Sequence, residues 1–229
     1  MDLTTKKALL SHFEQFLTAS RKNLFAKVLD YRTRHITVVL EDIYQSQNAS
    51  AVLRTCDLTG IQDVHIIENK NTYEVNPDVA LGSAKWLNLI KYNKNTDNTV
   101  DAYNKLRKMG YRIVATSPHK KEHTPENIPL DHKVALVFGT ELKGLSETAI
   151  HEADEFIRIP MFGFTESFNI SVSAALILYI LTNRLRASDT EWHLSEEESI
   201  DIRLEWSRRS ISRSEIIENH FLKQYKPSK

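Results

Sequence analysis

Short, strongly apolar segments alternate with helical patterns along most of this chain, and no other feature restricts its fold so much. Six segments have the β-branched, apolar composition of buried strands: residues 36–41, 63–68, 86–92, 111–116, 133–139 and 155–160, of which 86–92 is the weakest. Helical patterns occupy residues 48–60, 97–110 and 168–187. This alternation predicts an α/β fold with a mostly parallel, doubly wound sheet.

The two ends of the chain are helical and lie outside the alternating region. Residues 5–31 have the pattern of two amphipathic helices joined near residues 19–20. Residues 195–210 begin with Ser195 and acidic side chains and have two arginines near their end, as a helix dipole favours. We therefore expect three parts: an N-terminal helical extension at 1–35, a core at 36–187 and a C-terminal helical extension at 188–229.

The charge is distributed unevenly along the chain, although its net value is zero. Residues 1–35 and residues 203–229 each contain seven Lys/Arg and three Asp/Glu, a net of +4 at each end. Basic ends on an acidic body are typical of arms that contact a polyanion such as RNA. Solvated helix faces would give the same pattern, and +4 is modest for a nucleic-acid binder.

Several common classes of site and location are not indicated by this sequence. A single cysteine, Cys56, excludes an intramolecular disulfide and fits a reducing compartment. The longest uncharged run, residues 167–183, is short and polar for a membrane span, and no secretory hydrophobic region is apparent. With six glycines there is no GxGxxG, no P-loop and no metal-ligand spacing. We expect a cytoplasmic protein without membrane contact or metal.

Two stretches place polar residues where a plain sheet does not need them. In NASAVLRT, residues 48–55, Asn48 and Arg54 are six positions apart, which is about 240° around a helix. We expect them to meet only if Asn48 precedes the helix as a loop or cap residue. In FGTELKGLS, residues 138–146, a strand ends at Gly139 and Glu141 follows, at the edge where open α/β sheets bind ligands.

The third such stretch precedes the most apolar helical segment. Residues 172–181 are apolar nearly all round, as in a helix buried on every side. Just before them the chain has four small or charged polar residues: Thr165, Glu166, Ser167 and Asn169. One such residue is enough for an N-cap, so four of them indicate that a polar ligand lies at the start of this helix.

Together these stretches resemble a known family. In this order and spacing, NxxxxxRT, FGxExxGLS and IPMxGxxxSxNxS are similar to the three motifs of the SPOUT-class RNA ribose 2′-O-methyltransferases. Within that class the resemblance is nearest to the TrmH group, which methylates guanosine 18 of tRNA. It covers about residues 36–187, and the flanks, including GSAKW at 82–86, are similar too.

The resemblance implies a fold, a cofactor and partners that the residues alone do not. It implies a deep C-terminal trefoil knot, S-adenosylmethionine bound in that knot, and a homodimer that completes the active site. The expected reaction is methyl transfer to a ribose 2′-hydroxyl of tRNA, at guanosine 18 in the D-loop. A ribosomal RNA ribose methyltransferase and a non-catalytic RNA-binding factor are the alternatives.

The resemblance also assigns roles to individual residues. The implied catalytic residues are Asn48, Arg54, Glu141, Ser167 and Asn169. The implied cofactor-binding residues are Thr116, Ser117, Gly139, Thr140, Glu141, Leu142, Ile159 and Phe168, and the expected phosphate contacts are Arg21, Arg32, Arg184 and Arg186. In this family an arginine, here Arg54, is proposed as the general base. Because arginine keeps its proton in proteins, an electrostatic clamp is the easier role, and the sequence leaves both open.

Overall fold

Six strands form a single sheet in the order β3-β2-β1-β5-β4-β6. The computed structural model describes residues 1–73, 82–120, 122–140 and 143–225. Every neighbouring pair of strands in the sheet is parallel, which confirms the predicted α/β class. The strands are β1 (Ile36–Glu41), β2 (Asp63–Ile67), β3 (Asn88–Tyr92), β4 (Tyr111–Thr116), β5 (Lys133–Phe138) and β6 (Glu155–Ile157).

Helices cover both faces of this sheet, so its central strand β1 is buried along its whole length. Helices α3 (Ser46–Thr59) and α6 (Ile170–Arg186) lie on the face to which β1 points Val38 and Leu40. Helices α4 (Asn98–Lys108) and α5 (Glu147–His151) lie on the other face, which receives Val39. Because alternate side chains of a strand point to opposite faces, β1 carries apolar residues on both and shows no polar alternation.

Some element bounds differ from those that the sequence patterns predict. Strand β3 begins at Asn88, because Ser83–Trp86 form a short 3-10 helix after Gly82, which has φ +79°. Strand β6 ends at Ile157 and does not extend to Pro160. Two helices were not predicted: α5, and a final helix at Ser214–Gln224 that we label α8 below.

The chain divides into two compact units, Thr33–Trp192 and a smaller unit that combines Met1–Arg32 with His193–Lys229. The smaller unit contains α1 (Leu3–Glu14), α2 (Ala19–Leu29), α7 (Glu196–Ser210) and α8 (Ser214–Gln224). Its apolar core joins α1 to α7 through Leu9, Leu10, Phe13, Ile200 and Leu204. Helix α7 starts with a capping box between Ser195 and Glu198. The two terminal extensions thus form one unit rather than separate arms.

Helix α6 is not buried on every side in the single chain, contrary to the expectation from its composition. Val172, Leu176 and Tyr179 are 44%, 39% and 68% exposed. Their spacing of four and three places them on one stripe of the helix, while Ala174, Leu178 and Leu181 are buried. Among the described residues, no helix combines the length and apolar character needed to cross a membrane.

Candidate active site

A cleft of about 340 Å³ lies at the carboxyl edge of the sheet, where β4, β5 and β6 end. Ligands of open α/β sheets bind at this edge, since the loops after the strands lie there together. Residues that follow the three strands form most of its wall, and α6 contributes Ile170, Ser173 and Ile177. The cleft therefore lies where the predicted motifs converge.

Each residue predicted to bind the cofactor lines this cleft, as far as the structure describes them: Thr116, Ser117, Gly139, Thr140, Ile159 and Phe168. Ser167, predicted as catalytic, lines it as well. Glu141 and Leu142 lie outside the described residues. Three basic residues that the sequence analysis did not single out also line the cleft: His119, Lys143 and Arg158. Lys143 lies inside the second motif, and of the three only this position in the sequence could have indicated that it lines the cleft.

The loop after β5 brings its own backbone close together at the cleft. Thr140 N donates to Gly144 O at 2.9 Å, and Gly144 N donates to Thr140 O at 3.0 Å. A Cβ atom on Gly139 would lie 2.3 Å from the backbone C and O of Gly144, and Gly144 itself has φ +66°. Glycine is needed at both positions. The loop is consequently a close backbone turn, and Gly139, Thr140 and Gly144 all line the cleft.

Asn48 lies inside helix α3 and does not precede it as a loop or cap residue, so the condition for Asn48 and Arg54 to meet is not fulfilled. The helix begins at Ser46, with Gln45 as N-cap and no side-chain cap bond. Asn48 and Arg54 thus point to different sides of one helix. Asn48 Oδ1 instead accepts from Asn169 Nδ2 at 3.1 Å. Two of the predicted catalytic residues are therefore hydrogen-bonded to each other, and they connect the first turn of α3 to the start of α6.

One of the four polar residues that precede the apolar helix, Asn169, has a structural role. It is the N-cap of α6, and its Oδ1 accepts from Ser171 N at 2.8 Å and from Ser171 Oγ at 2.6 Å. An N-cap satisfies a backbone donor that the helix leaves unpaired. Ser167 and Glu166 do not cap the helix but line the cleft. Of the four polar residues, one therefore caps the helix and two line the cleft, whereas Thr165 does neither.

Arg54 is on the exposed side of α3 and does not line the cleft of its own chain. It makes no hydrogen bond or ion pair with any residue that the structure describes. Asn48 and Asn169 do not line the cleft either. The structure thus brings together the predicted cofactor residues and Ser167, but it does not bring the key arginine to them.

All four arginines predicted to contact RNA interact with described residues, and the guanidinium of Arg21 lies 6.0 Å from the ring centre of Phe25. Arg32 is 1% exposed, with its guanidinium 5.5 Å from the ring centre of Trp206, so in this conformation it cannot reach a phosphate. Arg184 donates to Pro125 O and Ile128 O, at 2.6 and 2.9 Å. Arg186 donates to Thr59 O at 2.8 Å. Arg21 is exposed on α2.

Residues 35–179 match the family model of the SpoU rRNA Methylase family. The chain belongs to this family. It is 47% identical over 205 residues to a tRNA (guanosine(18)-2′-O)-methyltransferase of Borreliella burgdorferi, which covers 90% of this chain and 92% of that relative. It is 32% identical to a Thermus thermophilus protein of the same name, over 71% of this chain and 81% of that one.

Solved structures of SpoU methyltransferases share the fold. The crystal structure of the Aquifex aeolicus TrmH/SpoU tRNA modifying enzyme has a TM-score of 0.73 at 29% identity, covering 85% of this chain and 98% of that one. The SpoU methyltransferase AviRb of Streptomyces viridochromogenes, solved in complex with AdoMet, has a TM-score of 0.58 at 20% identity, covering 71% of this chain and 62% of that one. The second likeness concerns the fold alone.

The close backbone approach at Gly139 leads to a first prediction. Gly139→Ala should weaken binding of S-adenosylmethionine at least about tenfold, because the added methyl group must displace the Gly144 backbone that forms the cleft wall. Isothermal calorimetry measures this. Gly163→Ala is the matched control, since a Cβ there meets nothing within 4 Å. Equal affinity of Gly139→Ala and the wild type would remove the cleft from consideration as the cofactor site.

Proposed function

We propose that this protein transfers a methyl group from S-adenosylmethionine to a ribose 2′-hydroxyl of tRNA, at guanosine 18. The observation that carries this proposal is the convergence of six predicted cofactor residues on one cleft at the carboxyl edge of the sheet. Membership of the SpoU family and the names of the relatives support the same reaction.

The cleft has the character that this cofactor needs. Gly139 and Thr140 line it, and Ile159 and Phe168 offer apolar surface beside polar Ser117 and Thr116. S-adenosylmethionine supplies a methyl group that is already electrophilic. The protein must then orient the ribose hydroxyl toward that methyl group and stabilise the negative charge that develops on its oxygen.

Arg54 is our candidate for the charge-stabilising group. Its side chain is exposed and makes no hydrogen bond or ion pair within the described part of the chain, so its guanidinium is available to an incoming ribose or phosphate. A planar guanidinium can hold two oxygens at once, which a lysine ammonium cannot. We infer an electrostatic clamp rather than a general base.

Substitution of Arg54 tests the reaction and the role together. The wild-type protein is offered unmodified tRNA and ribosomal RNA together with labelled cofactor, and the labelled nucleotide is then mapped. The label should appear on the ribose of tRNA guanosine 18. Arg54→Ala and Arg54→Lys should each lose on the order of 10² or more in rate, because each lacks the planar fork. Label in ribosomal RNA alone would refute the tRNA assignment. Substantial activity of Arg54→Lys that rises with pH would instead indicate a base.

We also propose that the protein is a homodimer whose second copy completes the active site. The exposed stripe of α6 is apolar, and α3, which packs against α6, exposes Leu58 one turn from Arg54. An apolar surface of this kind is typical of an interface between copies. A partner chain on this surface would bring its own Arg54 close to the other subunit, and each cleft could then be completed by the arginine of the partner.

Leu176→Glu should convert the dimer to a monomer and abolish methyl transfer, because a charge would be buried in the interface. Light scattering at micromolar concentration and the methylation assay measure the two effects. Leu222→Glu in the smaller unit is the matched control, since Leu222 is 37% exposed against 39% for Leu176. A monomer mass for wild-type protein, in a sample active at that concentration, would rule out a shared site.

We propose that α2 is the main phosphate contact of the smaller unit. That unit contains thirteen Lys/Arg and ten Asp/Glu, a net of +3. Ion pairs with acidic residues already occupy five of its basic side chains: Lys6, Lys7, Arg203, Arg208 and Arg209. Lys22 and Lys27 on α2 are exposed and make no such pair among the described residues. Only Phe25 of this helix is buried.

Lys22→Ala with Lys27→Ala should weaken tRNA binding and reduce its salt dependence. The slope of log K against log[salt] should fall by about one for each phosphate that the variant no longer neutralises. Filter binding at several salt concentrations measures this. Lys7→Ala should change the slope little, because Lys7 is paired with Glu196 at 2.6 Å. An unchanged slope in the double variant would show that α2 does not touch the RNA.

We infer that the chain is knotted around the cleft. The segment after β4 pairs with β6, since His123 N donates to Phe156 O and Arg158 N donates to His123 O. The same segment receives both hydrogen bonds of Arg184 from α6. This loop thus contacts two later elements of the chain, as threading through it requires. A crystal structure traced continuously from β4 to α6 would test the knot.

A further inference from the structure

A buried carboxylate lies directly behind the cleft loop. Glu41, the last residue of β1, is 2% exposed. Its Oε1 accepts from Thr99 Oγ1 at 2.6 Å and from Ser146 Oγ at 2.8 Å, and its Oε2 accepts from Ser146 N at 2.9 Å. Neither the sequence motifs nor the cleft lining includes Glu41.

These hydrogen bonds make the burial of the charge tolerable. An unpaired buried carboxylate would cost several kcal/mol, whereas hydrogen bonds to a charged acceptor are short and strong. Thr99 lies in the first turn of α4, so the positive end of that helix dipole also faces Glu41. The side chain is therefore fixed by two elements at once.

What Glu41 holds is the far end of the cleft loop. The loop leaves β5 at Gly139, and Lys143, Gly144 and Leu145 line the cleft before the chain reaches Ser146. Ser146 then caps α5, with its Oγ accepting from Ala149 N at 3.0 Å. One end of the loop is thus anchored in the sheet, and the other is anchored to a residue 105 positions earlier in the chain.

We propose that Glu41 is a positioning residue of the cofactor cleft. By fixing Ser146, its carboxylate sets the path of residues 143–145 and thereby the shape of the wall against which S-adenosylmethionine binds. This inference rests on the proposed function, because it takes the cleft to be the cofactor site. Glu41 itself does not touch the cleft.

Glu41→Ala tests this role through cofactor affinity. The variant leaves Ser146 N without its acceptor, so the loop loses its second anchor and the Kd for S-adenosylmethionine should rise about tenfold or more. Affinity for tRNA should stay within about twofold, because the wall and not the RNA surface is changed. Glu41→Gln should restore much of the cofactor affinity, since the glutamine amide oxygen can accept from Ser146 N. The glutamine amide nitrogen can donate to the hydroxyl oxygens of Thr99 and Ser146.

Asp42→Gly is the matched control for general loss of stability. Asp42 directly follows β1, and its Oδ1 accepts three backbone N–H groups, but these belong to Asn69, Lys70 and Asn71, outside the cleft lining. Its φ of +51° suits glycine. This variant should lower the melting temperature and leave the cofactor Kd within about twofold of wild type.

The outcomes separate this inference from the proposed function. If Gly139→Ala loses cofactor affinity while folded Glu41→Ala binds like wild type, the role of Glu41 is refuted and the cleft remains. If neither variant affects binding, the cleft assignment fails as well. Should Glu41→Ala not fold, Ser146→Ala, which lacks the hydroxyl bonded to Glu41, must raise the cofactor Kd without changing the tRNA Kd; an unchanged cofactor Kd refutes the role.

Discussion

The parallel pairing of β1, β5, β4 and β6 determines where everything else in the larger unit can lie. Leu40 is level with Phe138, Ala115 with Val137, and Thr116 with Ile157. The strands therefore end side by side, and the residues that follow them must share one edge. Backbone hydrogen bonds bring the motifs together in this way, although they are far apart in sequence. Glu41 follows Leu40 and Gly139 follows Phe138, so the buried carboxylate and the start of the loop it holds both come directly after one paired position.

Several of the basic side chains in the smaller unit form ion pairs with acidic side chains of the same unit. In the smaller unit the acidic first turn of α7 neutralises lysines of α1, and Glu218 of α8 neutralises Arg208. A count of charges along the sequence cannot include this pairing, since the partners are up to about two hundred positions apart. Exposed ion pairs add little stability, but they remove those cations from competition for phosphate. Of the predicted basic extension, α2 therefore stays the best candidate for RNA contact.

Strand and helix patterns predicted the sheet and most of the helices, because buried strands and capped helices have local sequence signatures. Ser195, which caps α7, is an example of such a signature. The N-terminal bound of α3 could not be predicted, since Gln45 makes no side-chain cap bond. The burial of Arg32 was equally hidden, because only the folded chain brings Trp206 to it. Glu41 resembles an ordinary polar strand end in the sequence. Its hydrogen-bond partners, in α4 and in the loop before α5, are 58 and 105 positions away in the sequence. A local sequence pattern cannot predict contacts between residues so far apart.

Helix α6 joins the two halves of the proposed mechanism in one element. Ile170, Ser173 and Ile177 line the cleft, whereas Val172, Leu176 and Tyr179 form the exposed stripe. An α-helix with its side chains is only about 10–12 Å across, so a second copy seated on that stripe would lie one helix thickness from the cofactor wall. Asn169, which caps this helix and is hydrogen-bonded to Asn48, ties its start to the helix that carries Arg54. In the proposed dimer, a shift of α6 would therefore reach both the cleft and the helix that carries Arg54.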